Sequence, residues 1–305
     1  MSLRFESVTK RYGDLVALNR VDFAIGKGVT ALVGPNGSGK STFMRLATGH
    51  SLPTTGRVTA FGGSVWDQPD TMRRVGYVPE QDAFYEHMSG LEFVSFLGRL
   101  RGFGPLEARD AALRELRALG LEEGIDRPIK SYSKGMRQRV KLAQALIHRP
   151  ELVLMDEPLL GCDPLARKRI QDRIRDAAKD GASILISSHI LPEVERMTKQ
   201  IGFLQSGRLI AQGNAMDIRQ KLTSVPSKIS IHLDAPRAAA ASMVQWDLVD
   251  RLEVRRGELL IETQAVGQFL SAMQADWKPA WGYQGHSLVD GDLSSVFGYL
   301  AGGKA

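Results

Sequence analysis

The chain of 305 residues has one cysteine, Cys162, so no intramolecular disulfide can form. That fits a reducing compartment such as the cytoplasm. No apolar run approaches the ~18 residues of a membrane-spanning helix, which leaves any membrane crossing to another chain. The first residues, MSLRFESVTKRYG, have no apolar core of the signal-peptide kind. Net charge is modest as well. A formal +6 permits nucleic acid or an anionic membrane surface as partner and selects neither. With 43% hydrophobic and 24% charged residues the composition is ordinary for a soluble globular protein. The length exceeds what a single core usually serves, so two or three structural units are expected.

One further absence is local. From Arg127 to Arg149 there are seven Lys/Arg and no Asp or Glu. Within that span, YSKGMRQRV (132–140) sets Ser133 as a cap on a helix beginning with Lys134 and Gly135. The first N–H groups of a helix lack partners inside it, and such an end binds anions, phosphate above all. A solvated basic helix would read the same way, so the segment turns on whether the chain holds a phosphate.

It has the means to hold one. The strand-like GVTALVG (28–34) leads into GPNGSGKST (34–42) and then FMRLATG, a P-loop in its strand–loop–helix setting. The run Gly34, Pro35, Asn36, Gly37, Ser38, Gly39 lets backbone amides turn inward as a phosphate cradle. Lys40 brings a mobile positive charge, the Ser41 hydroxyl is suited to Mg²⁺, and Thr42 caps the helix end nearby. In LVLMDEP (152–158), four apolar residues suit a strand buried on both faces of a parallel sheet. Asp156 then emerges at its carboxyl end, where ligands of open α/β sheets gather, and is expected to hold Mg²⁺ through water. Glu157 is the candidate base for an attacking water. SILISSHI (183–190) is a second buried-strand run and ends on His189, placed to reach a γ-phosphate.

In order and spacing these motifs resemble the nucleotide-binding cassette of ABC transporters over about residues 2–222. The resemblance implies ATP and Mg²⁺ as cofactors. It makes Tyr12 in KRYGDLVAL the aromatic that stacks on adenine, Glu157 the catalytic glutamate and His189 the switch histidine. GCD (161–163) matches the loop that crosses the dimer interface, where Cys162 reads as a small apolar residue. Tyr132-Ser133-Lys134-Gly135-Met136 corresponds to the family signature Leu-Ser-Gly-Gly-Gln. In the family two cassettes pack head to tail, and the signature of one caps the γ-phosphate held by the other, so Ser133 and the Gly135 amide would make those contacts. Lys134 and Met136 depart from the pattern; Lys134 could add charge at the composite site or face solvent. After VGYVP (75–79) the family carries a glutamine that contacts Mg²⁺. Here Glu80 holds that position and Gln81 follows; both cannot face the metal from extended backbone, and Glu80 is the expected ligand.

The expected fold is therefore α/β, a P-loop NTPase of the ABC cassette kind with a small C-terminal α+β domain. The sheet domain is read over 1–84 and 148–222, an inserted helical subdomain with the signature over 85–147, and the accessory domain over 226–305. In that last part KISIHLD reads as a strand, RAAAASMVQW as a helix, LVDRLEVRRGELLIET as a hairpin and VGQFLSAMQAD as a helix, a split βαβ order. DLSSVFGYLAG reads as a terminal helix and resembles the tails of ABC-2 type exporter ATPases, as SYSKGMRQR does upstream. Trp246, Trp277 and Trp281 are expected in core or interface. The resemblance implies an ATP-hydrolysing subunit that works as a homodimer, or paired with a homologous cassette. It would drive separately encoded integral membrane transporter subunits, from the cytoplasmic side of the cell membrane and for export. A non-transport ABC ATPase on ribosomes or DNA is the alternative. A single cassette without sustained heptads makes nucleic acid an unlikely partner, and intact Lys40, Glu157 and His189 disfavour a regulator without turnover.

Overall fold

The apolar run ahead of Asp156 forms a strand whose side chains divide between two cores. In the computed structural model Leu152 and Leu154 join one hydrophobic cluster, Val153 and Met155 the other. Alternate residues of a strand point to opposite faces, so a strand apolar at every position must be covered on both sides. The structure describes residues 1–66, 68–214, 218, 226–275 and 279–289. They fall into two compact units, Met1–Gly213 and Asn214–Ala305.

The first unit opens with an antiparallel pair, β1 (Leu3–Tyr12) and β2 (Leu15–Ile25), followed by β3 (Gly28–Val33) and helix α1 (Lys40–Ala47). Next come β4 (Thr55–Ala60), β5 (Gly63–Ser64), α2 (Pro69–Arg73) and β6 (Val75–Val78). Three helices then run together: α3 (Gly90–Leu100), α4 (Pro105–Ala118) and α5 (Lys134–Leu146). The unit returns to its sheet through β7 (Leu152–Asp156), α6 (Pro164–Lys179), β8 (Ser183–Ser188), α7 (Leu191–Glu195), β9 (Gln200–Gln205) and β10 (Arg208–Asn214).

The central sheet has the order β10-β9-β3-β8-β7-β6, with β9, β3, β8, β7 and β6 parallel. On one face lies α1 with the antiparallel sheet β2-β1-β4-β5; Phe43 of α1 stacks on Phe5 with ring centres 3.9 Å apart and meets Phe23 edge-on. On the other face the core is built from α3, α4, α5 and α6. A capping box of Ser89 and Glu92 starts α3, and Asp163 caps α6 ahead of Pro164. The antiparallel sheet was not foreseen from the sequence. In β1 the apolar alternation Leu3, Phe5 breaks before Val8, where the register with β2 shifts and Ser7 takes φ +47°.

The second unit is an antiparallel sheet ordered β12-β13-β11-β14 with two helices packed on it. Its elements are β11 (Ser227–Leu233), α8 (Pro236–Met243), β12 (Arg251–Arg255), β13 (Glu258–Thr263), α9 (Val266–Ala275) and β14 (Tyr283–Leu288). This is the split βαβ order, strand–helix–two strands–helix–strand, with β14 as its last strand. YQGHSL in β14 has no β-branched residue to mark it, and its pairing comes from the free edge of β11. Trp281 is buried in this core and Trp246 lies against Phe269. Trp277, the DLSSVFGYLAG segment and the expected boundary at 222 fall outside the described residues.

Where β6 meets α5 the backbones nearly touch. A Cβ on Gly76 would sit 2.2 Å from the Ala145 carbonyl oxygen, an atom held in a helix. Gly76→Ala should therefore cost about 1–3 kcal/mol by overpacking. Gly26→Ala, which meets open space, is the control. Denaturant titrations check this, and equal stability of the two variants would contradict it.

Candidate nucleotide site

The loop after β3 is held against the sheet by contacts only glycine permits. A Cβ on Gly34 would lie 2.0 Å from the Leu204 carbonyl oxygen of β9. Gly39, the N-cap of α1, takes φ +106°, and its Cβ would lie 2.6 Å from the Ala17 carbonyl oxygen. Lys40 is buried, and its ammonium donates to the carbonyls of Gly34 at 2.8 Å and Pro35 at 3.1 Å. Burial pushes its pKa down, while Glu157, Asp156 and Glu80 pull it up. The hydroxyl of Ser38 is buried without a partner, a position that usually costs about 1–3 kcal/mol. A loop with a pent-up cation, an unpaired hydroxyl and a glycine-lined turn fits an anionic ligand such as a triphosphate.

The loop forms one wall of a cavity of about 770 Å³, within the range of small-molecule sites. Asn36, Gly37, Gly39, Lys40, Ser41 and Thr42 supply that wall, and Tyr12, Leu15, Val16 and Ala17 also line the cavity. Glu80, Glu157 and His189 face the same space. Tyr12 is 42% exposed, with the Lys10 ammonium 4.9 Å from its ring centre. Gln81, one residue past Glu80, is exposed and is not part of the cavity wall.

The acids are fixed by a single hydroxyl. Asp156, the last residue of β7, stands opposite Ser187 of β8 in parallel register. Ser187 Oγ donates to Asp156 Oδ1 at 2.5 Å and accepts from the Glu157 backbone N–H at 2.9 Å. Glu157 takes φ +49°, a left-handed conformation costing roughly 1–3 kcal/mol for a residue with a side chain. Its Oε1 lies 2.9 Å from His189 Nδ1. Burial raises the Glu157 pKa, and the hydrogen bond and charge of His189 oppose that rise, as does Lys40. The sequence marked Asp156, Glu157 and His189 but not Ser187. Its signal was present: a polar residue one turn of the pleat before the end of a buried strand needs a polar partner. The β9–β10 turn at Ser206 and Gly207, also part of the cavity wall, carried no such signal.

The 132–140 segment lies elsewhere. Ser133 caps α5, accepting from the Met136 N–H at 3.3 Å. Tyr132 is buried and donates its hydroxyl to the Gly124 carbonyl at 2.8 Å. Neither Ser133 nor Gly135 belongs to the cavity wall around Lys40. Gly135 faces Ala166 and Asp163, and the Lys134 stem lies across Gly161, whose φ of +70° and missing Cβ leave it room. Cys162 beside it is buried, and burial pushes its thiol pKa up. Among the described residues no group of three or more His, Cys, Asp or Glu forms a metal cage. Magnesium needs none, since it is bound through one or two carboxylates and substrate phosphates with several waters retained. The oxygen donors of Ser41, Asp156 and Glu80 fit it.

A family model described as ABC transporter matches residues 18–160. The daunorubicin/doxorubicin resistance ATP-binding protein DrrA of Streptomyces peucetius is 30% identical over 249 residues, 81% of this chain and 76% of that protein. The lantibiotic transport ATP-binding protein SrtF of Streptococcus pyogenes is 36% identical over 211 residues, 69% of this chain and 90% of that protein. Among solved structures, an ATP-binding cassette in a dimeric post-hydrolysis state bound to ADP and Pi superposes with a TM-score of 0.64 at 25% identity, covering 70% of this chain and 98% of that one. With its P-loop sheet, its helical insertion and these relatives, the chain belongs to the ATP-binding proteins of ABC transporters, ATPase cassettes of α/β fold.

Proposed function

We propose that the chain is the ATP-hydrolysing subunit of an ABC exporter of the ABC-2 type, dimerising head to tail around two ATP–Mg²⁺. The observation that carries this reading is a division of parts. One cavity gathers the P-loop, Glu80, Glu157 and His189, while the Ser133-capped start of α5 lies outside it. A second chain packed in opposite sense would bring its Ser133 and Gly135 to the γ-phosphate held here, and the dimeric form of the similar cassette supports that arrangement. Tyr12 would stack on adenine. Gly34 to Gly39 would wrap the phosphates, and Lys40 would leave its carbonyl partners for the β- and γ-oxygens. Ser41, Asp156 and Glu80 would hold Mg²⁺, directly or through water, and the ion when bound would offset phosphate charge. Glu157 would take the proton of the attacking water, kept oriented by His189.

Export is supported by relatives named for drug resistance and lantibiotic transport. No described helix is long and apolar enough to cross a membrane, so the proposal assigns the crossing to separate membrane subunits and this chain to the cytoplasmic face beside them.

Glu157→Gln should leave ATP binding intact, cut turnover by ~10²–10⁴-fold and accumulate an ATP-bound dimer in size-exclusion chromatography; normal turnover, or a monomer at saturating ATP, would sink the dimer reading. The pH profile gives a second check. Glu157 acts as a base when ionised, so rate falls as pH drops through its raised pKa. Removing His189, which holds that pKa down, should move the acid limb of the kcat profile of His189→Ala to higher pH, and an unmoved limb would separate the two residues. Glu80→Ala should raise the Mg²⁺ concentration needed for half-maximal turnover while Gln81→Ala leaves it unchanged; the reverse pattern would exchange their roles.

A further inference from the structure

Helix α5 carries a buried lysine that the site described so far does not use. Lys141 is 3% exposed. Its ammonium donates to the carbonyls of Pro79 at 3.0 Å and Glu80 at 2.9 Å, and pairs with Asp82 Oδ1 at 3.0 Å. An ammonium has three donors, and all three are engaged by one short stretch of chain. Burial lowers the pKa of Lys141, and the Asp82 charge opposes this.

The stretch is the one that delivers Glu80. Strand β6 ends at Val78, and its ladder with β7 ends there. Beyond that point the backbone has no sheet partner to hold it, and α5 takes over. Gln144 donates to the Tyr77 carbonyl near the end of the ladder at 2.7 Å, Lys141 holds the Pro79 and Glu80 carbonyls beyond it, and Arg137 forks onto Glu86 at 2.6 and 2.8 Å. Residues 137, 141 and 144 share one face of a helix. They form a polar seam along 77–86, and only Lys141 in that seam bonds Glu80 itself.

We infer that Lys141 is a positioning residue for Glu80: it clamps the Pro79–Glu80 backbone to the helix that begins at Ser133, so that the Glu80 side chain is kept at the nucleotide cavity. The inference rests on the reading of Glu80 as a functional group of that cavity. Because the clamp acts on backbone carbonyls, it does not depend on whether position 80 is an acid or an amide. It also ties the geometry at Glu80 to that of α5, the helix expected to meet the second nucleotide.

The test uses the full chain with Lys141→Met, which keeps length and removes the donors, and Asp82→Asn, which weakens the pair from a side chain 40% exposed. Lys141→Met should lower kcat by between about tenfold and about 100-fold, as misplacement of a supporting group does. Affinity for a fluorescent ATP analogue measured without Mg²⁺ should stay unchanged. Amides of 79–86 should exchange hydrogen faster while those of α1 and β7 do not, and Asp82→Asn should move both readouts the same way to a smaller extent. Combined with Glu80→Ala, Lys141→Met should slow turnover no further than Glu80→Ala alone, because the two act through one group. Multiplied effects, or wild-type kcat and exchange in Lys141→Met, would overturn the inference. Loss of protection throughout α5 would pass the decision to Asp82→Asn, where normal kcat overturns it. A slow Glu80→Ala with a normal Lys141→Met defeats the clamp alone, whereas a silent Glu80→Ala defeats the reading of Glu80 and the clamp with it.

Discussion

A parallel sheet buried on both faces can place its polar groups only where strands end, and that constraint organises this cassette. The P-loop follows β3, Glu80 follows β6, Asp156 and Glu157 close β7, His189 follows β8 and the Ser206–Gly207 turn follows β9. Five parallel strands thus deliver their groups to one edge, where ligands of open α/β sheets bind. Register makes the delivery exact to the residue. Asp156 opposite Ser187 puts one hydroxyl between a carboxylate and the Glu157 amide, and Glu157, with a left-handed backbone, meets His189.

The second constraint is incompleteness. Lys40 is bound to its own loop, Ser38 Oγ has no partner, and the capped start of α5 with its surrounding Lys and Arg residues is not part of the cavity wall. Of these, the unpaired hydroxyl is a cost that the ligand-free fold bears without return. A bound triphosphate would relieve the first two, and a second chain over that triphosphate would use the third. On the proposed arrangement ATP would favour the closed pair by differential binding, which is the only means by which a ligand can shift such an equilibrium.

Much of this was legible in the residues. Apolar runs ending in Asp156 and His189, and glycines in strict order before Lys40, have few other physical explanations. What escaped was set by tertiary contact. The alternation of β1 is broken at Ser7, β14 gains its strand conformation from the edge of β11, and Ser187 and Lys141 take their roles from neighbours distant in sequence. Lys134, read as facing a composite site or solvent, is exposed, and its stem lies across Gly161, a contact that depends on a missing side chain. The path of the chain after β6, which brings Glu80 and not Gln81 to the cavity wall, was likewise not legible in the residues.

The central claim is that each working site takes its P-loop from one chain and its capping helix from another, and a mixing experiment tests it most directly. Lys40→Ala lacks the cation. Ser133→Asp keeps a good helix cap but sets a carboxylate against the phosphate. Each variant alone should be inactive. Mixed, they should regain ATP hydrolysis, because a heterodimer pairs the sound P-loop of one chain with the sound Ser133 of the other. Mixtures that exchange subunits yet remain as inactive as their components would contradict the account.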